Sequence, residues 1–70
     1  MKAQYNREDD VLMIYLGEGA IEHAEETDGI IVHFTAKNQP VLIEILDASE
    51  FLSRLIRLTA HAESGQAISV

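Results

Sequence analysis

Seventy residues make one domain with a marginal core, because a chain this short buries only about 60% of the surface that its unfolded form exposes. It has no cysteine to form a disulfide, and three histidines without thiolates make a poor structural zinc site, so association with another chain is the remaining support. Twelve acidic residues against five basic ones, a net charge of −7, argue against a nucleic-acid partner, and no apolar run approaches the ~20 residues that cross a bilayer.

Met1 to Gly17 lacks the order of an export signal, and the missing cysteines suit a reducing compartment, so a soluble cytoplasmic protein is expected. Eight of the acids (Glu8, Asp9, Asp10, Glu18, Glu22, Glu25, Glu26 and Asp28) precede Thr35 and are accompanied by only two bases. They either keep sheet edges soluble, which is the preferred reading, or form an acidic face that would suit a basic protein partner.

Along the chain, Lys2 to Tyr5 reads as a short strand, Asn6 to Asp10 as a polar turn, and Val11 to Leu16 as a second strand rich in β-branched and aromatic types. Gly17-Glu18-Gly19 breaks this hairpin, and Ala20 to Glu26 is a third strand despite its glutamates. Asp28-Gly29 is a dipeptide that accepts positive φ in a tight hairpin turn. Ile30 to Thr35 follows as a strand, Lys37 to Pro40 as a turn, and Val41 to Leu46 as the last strand, with Pro40 suited to its start. The period changes at Asp47-Ala48-Ser49-Glu50, where Asp47 and Glu50 are expected to cap a helix through their side chains. Phe51, Leu52, Leu55, Ile56 and Leu58 or Thr59 recur at helical spacing, with Ser53, Arg54 and Arg57 on the other side. The helix is predicted over about 48–62, ending between Ala62 and Gly65 with Gly65 as the stop signal, and residues 63–70 form a tail in which Ile68 and Val70 could add an apolar clip. The whole is an α+β single domain over 1–70: an antiparallel sheet of four or five short strands over about 2–46, and one C-terminal amphipathic helix packed on one face.

Alternation along strands then sorts the sheet. One face collects Tyr5, Leu12, Ile14, Leu16, Ile30, Val32, Phe34, Val41, Ile43 and Ile45, and the helix belongs there. The other collects Val11, Met13, Tyr15, Ile31, Leu42 and Leu46, with His33, Thr35 and Glu44 among them. One helix covers one face, so six apolar side chains are left for a second copy to cover, and a homodimer is expected. A different protein, or the tail, would satisfy the same physics.

A turn at Lys37 to Pro40 sets Ala36 opposite Val41, Thr35 opposite Leu42, Phe34 opposite Ile43, and His33 opposite Glu44. The last pair could act as a base oriented by a carboxylate, with Asp47 nearby. It serves equally as a polar pair that fixes register, and this second role is preferred because no nucleophile or oxyanion donor accompanies it. His23, His33 and His61 stand at no metal-ligand spacing, the Glu8-Asp9-Asp10 turn lacks a calcium loop's ligand pattern, and no Lys-Ser or Lys-Thr follows Gly17 or Gly19. No catalytic set, metal or cofactor is therefore expected.

Tyr5 to Leu16 and Ile43-Glu44-Ile45-Leu46-Asp47-Ala48-Ser49 together resemble a small prokaryotic family, domain of unknown function 2283. Its members open on Tyr-Asp-x-Glu-x-Asp, continue with a Leu-Tyr-Ile-x-Leu strand and close on Gly-Ile-Glu-Ile-Leu-Asp-Ala-Ser. The resemblance spans about residues 2 to 50, and the closing motif is its more specific part. Asn6, Met13 and Leu42 depart from the usual Asp, Tyr and Gly. The resemblance implies no established activity, and suggests an antitoxin-like or accessory protein.

Overall fold

The computed structural model describes residues 1–61, with the helix as its last element and the side chains described as far as residue 60. The expected helix stop near Gly65 and the apolar clip of Ile68 and Val70 lie outside the described residues. Five strands, β1 (Lys2–Asn6), β2 (Val11–Tyr15), β3 (His23–Thr27), β4 (Ile30–Phe34) and β5 (Pro40–Leu46), precede one helix, α1 (Ala48–His61). They form one antiparallel sheet in the order β1-β2-β5-β4-β3 with a C-terminal helix, the α+β arrangement expected from the sequence. The last strand is thus the central one, inserted between two local hairpins.

Each hairpin follows from its turn residues. Asp28 (φ 50°) and Gly29 (φ 81°) make the two-residue turn that joins Thr27 to its partner Ile30, as the dipeptide predicts. In the β1–β2 turn the Asn6 side-chain oxygen accepts the Asp9 amide at 3.0 Å, and Asp10 takes the left-handed conformation at φ 55°, a conformation that aspartate tolerates. Residues 16–22 then carry the chain across the end of the sheet to its far edge. A Cβ on Gly19 (φ 142°) would stand 2.9 Å from the Thr35 methyl, so this position requires glycine.

The β4–β5 register differs from the expected one by two residues: His33 lies opposite Leu42, Val32 opposite Ile43, and Ile31 opposite Glu44. Thr35 is the cause. It leaves the strand, and its hydroxyl oxygen accepts the amides of Lys37 (3.2 Å) and Gln39 (3.3 Å), while its own amide donates to the Gln39 carbonyl, a local bonding pattern typical of turn threonines. With Asn38 at φ 60° this makes a wider loop, after which Phe34 pairs with Pro40, and Val41 is the extra residue of a bulge. A slip of two residues keeps every side chain on its face, so the two-face reading survives although the pairing does not.

Helix α1 leaves the end of β5 towards the expected face, where Phe51 and Arg54 border an open cleft of about 660 Å³ that Ile30 and Val32 also line, but it does not close over that face, whose Leu12, Ile14, Ile30, Val32, Phe34 and Ile43 stay half-buried. Arg54, expected on the far side of the helix, therefore borders the sheet side. Phe51, Leu55 and Leu58 are half-buried, whereas Leu52 and Ile56 point outward and Ile56 is 66% exposed. The apolar arc of the helix is wider than the strip that docks. Among the described residues only Val41 (6% exposed), Ile45 (7%) and Ala48 (0%) are buried. Ile45 and Ala48 mark where the helix base meets the central strand.

Candidate functional site

Two polar constellations stand out on this scaffold, one at the helix base and one on the face opposite the helix. The first centres on Asp10. Its carboxylate accepts the Tyr5 hydroxyl (2.6 Å), the Ser49 hydroxyl (2.7 Å) and the Ser49 amide (3.0 Å), and its carbonyl accepts the Ala48 amide at 2.9 Å. Three donors converge on one carboxylate. The hydrogen bond from Tyr5, then those from Ser49, hold the Asp10 carboxyl below its ordinary value, and the same bond to Asp10 raises the Tyr5 phenol, because each bond favours the charged carboxylate and the neutral phenol.

This arrangement changes the expected capping chemistry. Asp47 (φ 49°) occupies the cap position through its backbone, whose carbonyl accepts the amides of Glu50 (3.1 Å) and Phe51 (3.2 Å). The side-chain acceptor at the helix start comes instead from Asp10, 39 positions away in the chain, and among the described residues neither Asp47 nor Glu50 makes a side-chain hydrogen bond. A left-handed Asp47 turns the chain from strand into helix, and Asp10 clasps the first turn of the helix to the β1–β2 turn. Chemically the cluster is a clasp and not a nucleophile with its base. A carboxylate already holding three hydrogens, with its proton affinity lowered, is poorly placed to take the Ser49 proton.

The second constellation is His33 and Glu44. His33 Nε2 and Glu44 Oε1 stand 2.5 Å apart, with side chains 18% and 25% exposed. The two meet diagonally and not directly across the ladder, because Ile31 takes the place opposite Glu44. Around them the register lays out the predicted interface residues. Val11 pairs with Leu46, Met13 with Glu44, and Tyr15 with Leu42, while Ile31 and Leu42 flank the polar pair on β4 and β5. All six apolar residues share one side of the sheet, half-buried by one another except for the exposed Leu46. The Tyr15 hydroxyl donates to the Met13 sulfur at 3.5 Å, a weak acceptor.

Asp47 belongs to neither constellation. It lies past the end of β5 and borders a smaller cleft of about 220 Å³ with Gly29, Glu50 and Arg54. His23 stacks on Phe34 (5.2 Å between ring centroids) on the helix side, the opposite face from His33, and among the described residues no group of three or more His, Asp or Glu could hold a metal ion. No described helix is long and apolar enough to cross a membrane.

The matching motifs now have a structural meaning, since Tyr5 and Asp10 of the opening segment and Ala48-Ser49 of the closing one build the clasp. A family described as "Protein of unknown function (DUF2283)" matches residues 2–49. The chain belongs to the DUF2283 family. Neither a curated protein nor a solved structure matches it. The matched span of this DUF2283 chain ends at Ser49, the residue that receives the Asp10 clasp, so most of α1 lies beyond it. The sequence places Tyr5 in a strand, Asp10 in a turn and Ser49 at the strand-to-helix junction, with nothing local to join them. The only signal that joins them is their shared membership of the two family motifs.

Proposed function

We propose that this DUF2283 protein is a homodimeric interaction module, not an enzyme, that associates through the sheet face carrying Val11, Met13, Tyr15, Ile31, Leu42 and Leu46. One observation carries the reading: in a chain that is 47% hydrophobic, only three described side chains are buried, and all three serve the helix base or the central strand. The six apolar side chains opposite the helix have no described element over them. The three inner strands that carry these residues, each about five residues long, give a footprint of roughly 250 Å² before side-chain relief is counted, a contiguous apolar patch of the few hundred Å² that often proves functional. That face is apolar on its inner strands with one internally matched polar pair, which suits a self-complementary contact.

On this reading the paired sheets are a cytoplasmic scaffold, and the acidic residues of the first half are offered to a basic protein partner, as an antitoxin-like or accessory role requires. Glu8, Asp9, Glu18, Glu22, Glu25, Glu26 and Asp28 are all exposed, and electrostatic complementarity of this kind speeds and orients encounter. Sedimentation equilibrium of the full chain tests the assembly. A dimer at micromolar concentration supports it, and a monomer throughout that range removes it.

The close His33–Glu44 contact favours a second reading, a small acid-base or hydrolytic activity with His33 as base, Glu44 orienting it and Asp47 assisting. Asp47 contributes no contact to the pair among the described residues, which weakens this reading. His33→Gln separates the two. An enzyme dependent on that base loses ~100-fold or more in rate, while an interaction module remains folded and dimeric.

A further inference from the structure

We infer that the twofold axis of the dimer runs along β5, so that the β1 edge of each subunit lies over the β3 edge of the other. The inference rests on the homodimer proposed above and supplies its geometry. Two sheets packed face to face keep their strands within about 30° of each other and about 10 Å apart. For a pair of identical five-stranded sheets this leaves two arrangements. An axis along the central strand exchanges left and right edges, whereas an axis across the strands lays each edge over its own copy.

The edges differ in charge. β1, Lys2–Asn6, contains a lysine and no acid; β3, His23–Thr27, contains Glu25 and Glu26 and no lysine or arginine. On the interface side the register places Lys2 and Gln4 at one border and Ala24 and Glu26 at the other. An axis across the strands through the middle row of the face, Gln4, Met13, Glu44, Ile31 and Glu26, would set Glu26 against the partner subunit's Glu26 in an assembly of two chains each at −7. An axis along β5 sets Gln4 against the partner subunit's Glu26, one step from Lys2, and opposes unlike edges instead of like ones.

The interior rows agree with this choice. The row Lys2, Tyr15, Leu42, His33, Ala24 reads in reverse on the facing subunit. Tyr15 then faces the partner subunit's His33, which gives its hydroxyl a better acceptor than the Met13 sulfur, in the partner subunit's polar pair. In the next row Met13 faces the partner subunit's Ile31, an apolar contact. On the axis Leu42 meets its own copy. Glu44, also on β5, is drawn sideways towards β4 by His33, which moves the two carboxylates off the axis and away from each other.

The chain contains no cysteine, so single cysteines report proximity cleanly. Gln4→Cys, Glu26→Cys and Leu42→Cys are each treated with a bis-maleimide of about 10 Å span, the spacing between packed sheets, alone and, for the two edge variants, after co-refolding. Expected is a covalent dimer from Leu42→Cys alone and from the Gln4→Cys and Glu26→Cys mixture, with neither edge variant linking to itself. Self-linking of Gln4→Cys or Glu26→Cys, with Leu42→Cys still linking, overturns the axis and leaves the dimer face standing. A dimer by sedimentation in which Leu42→Cys fails to link overturns the face itself, and with it the reading on which this inference rests. Linking of the edge mixture into a ladder of higher oligomers, without Leu42→Cys linking, indicates edge-to-edge assembly and likewise overturns the axis.

Discussion

Leu42→Asp is the substitution that most directly separates association from folding. Position 42 is half-buried on the central strand, with Tyr15 on one side and His33 on the other. Full burial of a leucine contributes about 1.5–3 kcal/mol, so covering the half still open gains roughly 1 kcal/mol per copy, and a twofold contact counts it twice. Two new carboxylates facing each other at the sheet spacing of about 10 Å add roughly 1.5 kcal/mol of repulsion at an effective dielectric of about 20. The total, about 3 kcal/mol or more, corresponds to a dimer dissociation constant raised at least ~100-fold. Within one subunit the cost is about 1 kcal/mol, the share of Leu42 burial already present, since His33 is engaged by Glu44. Sedimentation equilibrium gives the dissociation constant, and far-ultraviolet circular dichroism confirms that the sheet persists. A variant that still dimerises within ~3-fold of the parent affinity would refute the assignment of this face.

Four other outcomes are expected. Asp10→Ala releases the first turn of α1, seen as lower helix content and faster amide exchange in residues 48–55. Because the folded Asp10 carboxyl lies below its ordinary value of 3.8, its contribution is complete above that pH and fades as pH falls through the folded value, so acid loosening of the helix belongs to the parent chain and is absent from Asp10→Ala. For Tyr5 the sign reverses, its raised phenol holding the clasp up to about pH 10 and losing it above. Ile45→Ala costs about 2–5 kcal/mol in thermal or urea unfolding, whereas Ile56→Ala, on the exposed side of the helix, costs under about 0.5 kcal/mol in the separated subunit. An equal loss at both positions would contradict the packing described above. Gly19→Ala forces a Cβ against Thr35 at a positive φ and costs about 1–3 kcal/mol, with the melting temperature as its measure.

Most of the architecture could be read from local chemistry. Asp28-Gly29 placed its turn to the residue, Pro40 opens β5, and the change of period at Asp47 marks the strand-to-helix junction. The register of β4 on β5 could not be read in the same way, because Thr35 has strand propensity but commits its hydroxyl to two loop amides, which only the folded loop reveals. His33 and Glu44 meet although the register differs from the expected one, since a two-residue slip preserves faces and a diagonal neighbour lies within reach of long side chains. The clasp had no local signature. Asp10 and Ser49 are brought together only once β2 and β5 are side by side, and Asp47 offered a nearer carboxylate that explained the helix start equally well.

The central place of β5 bears on how the chain comes into being. The two hairpins before it close through short turns, yet they share no ladder with each other until the last strand slides between β2 and β4. A ribosome-bound chain that has emerged only as far as Gln39 therefore holds two separate ribbons, each with an open side awaiting the same late segment. Such non-local closure is slow compared with hairpin formation. During that interval the vacancy fits β5 of any identical chain nearby, so crowded synthesis is where strand exchange between copies would begin.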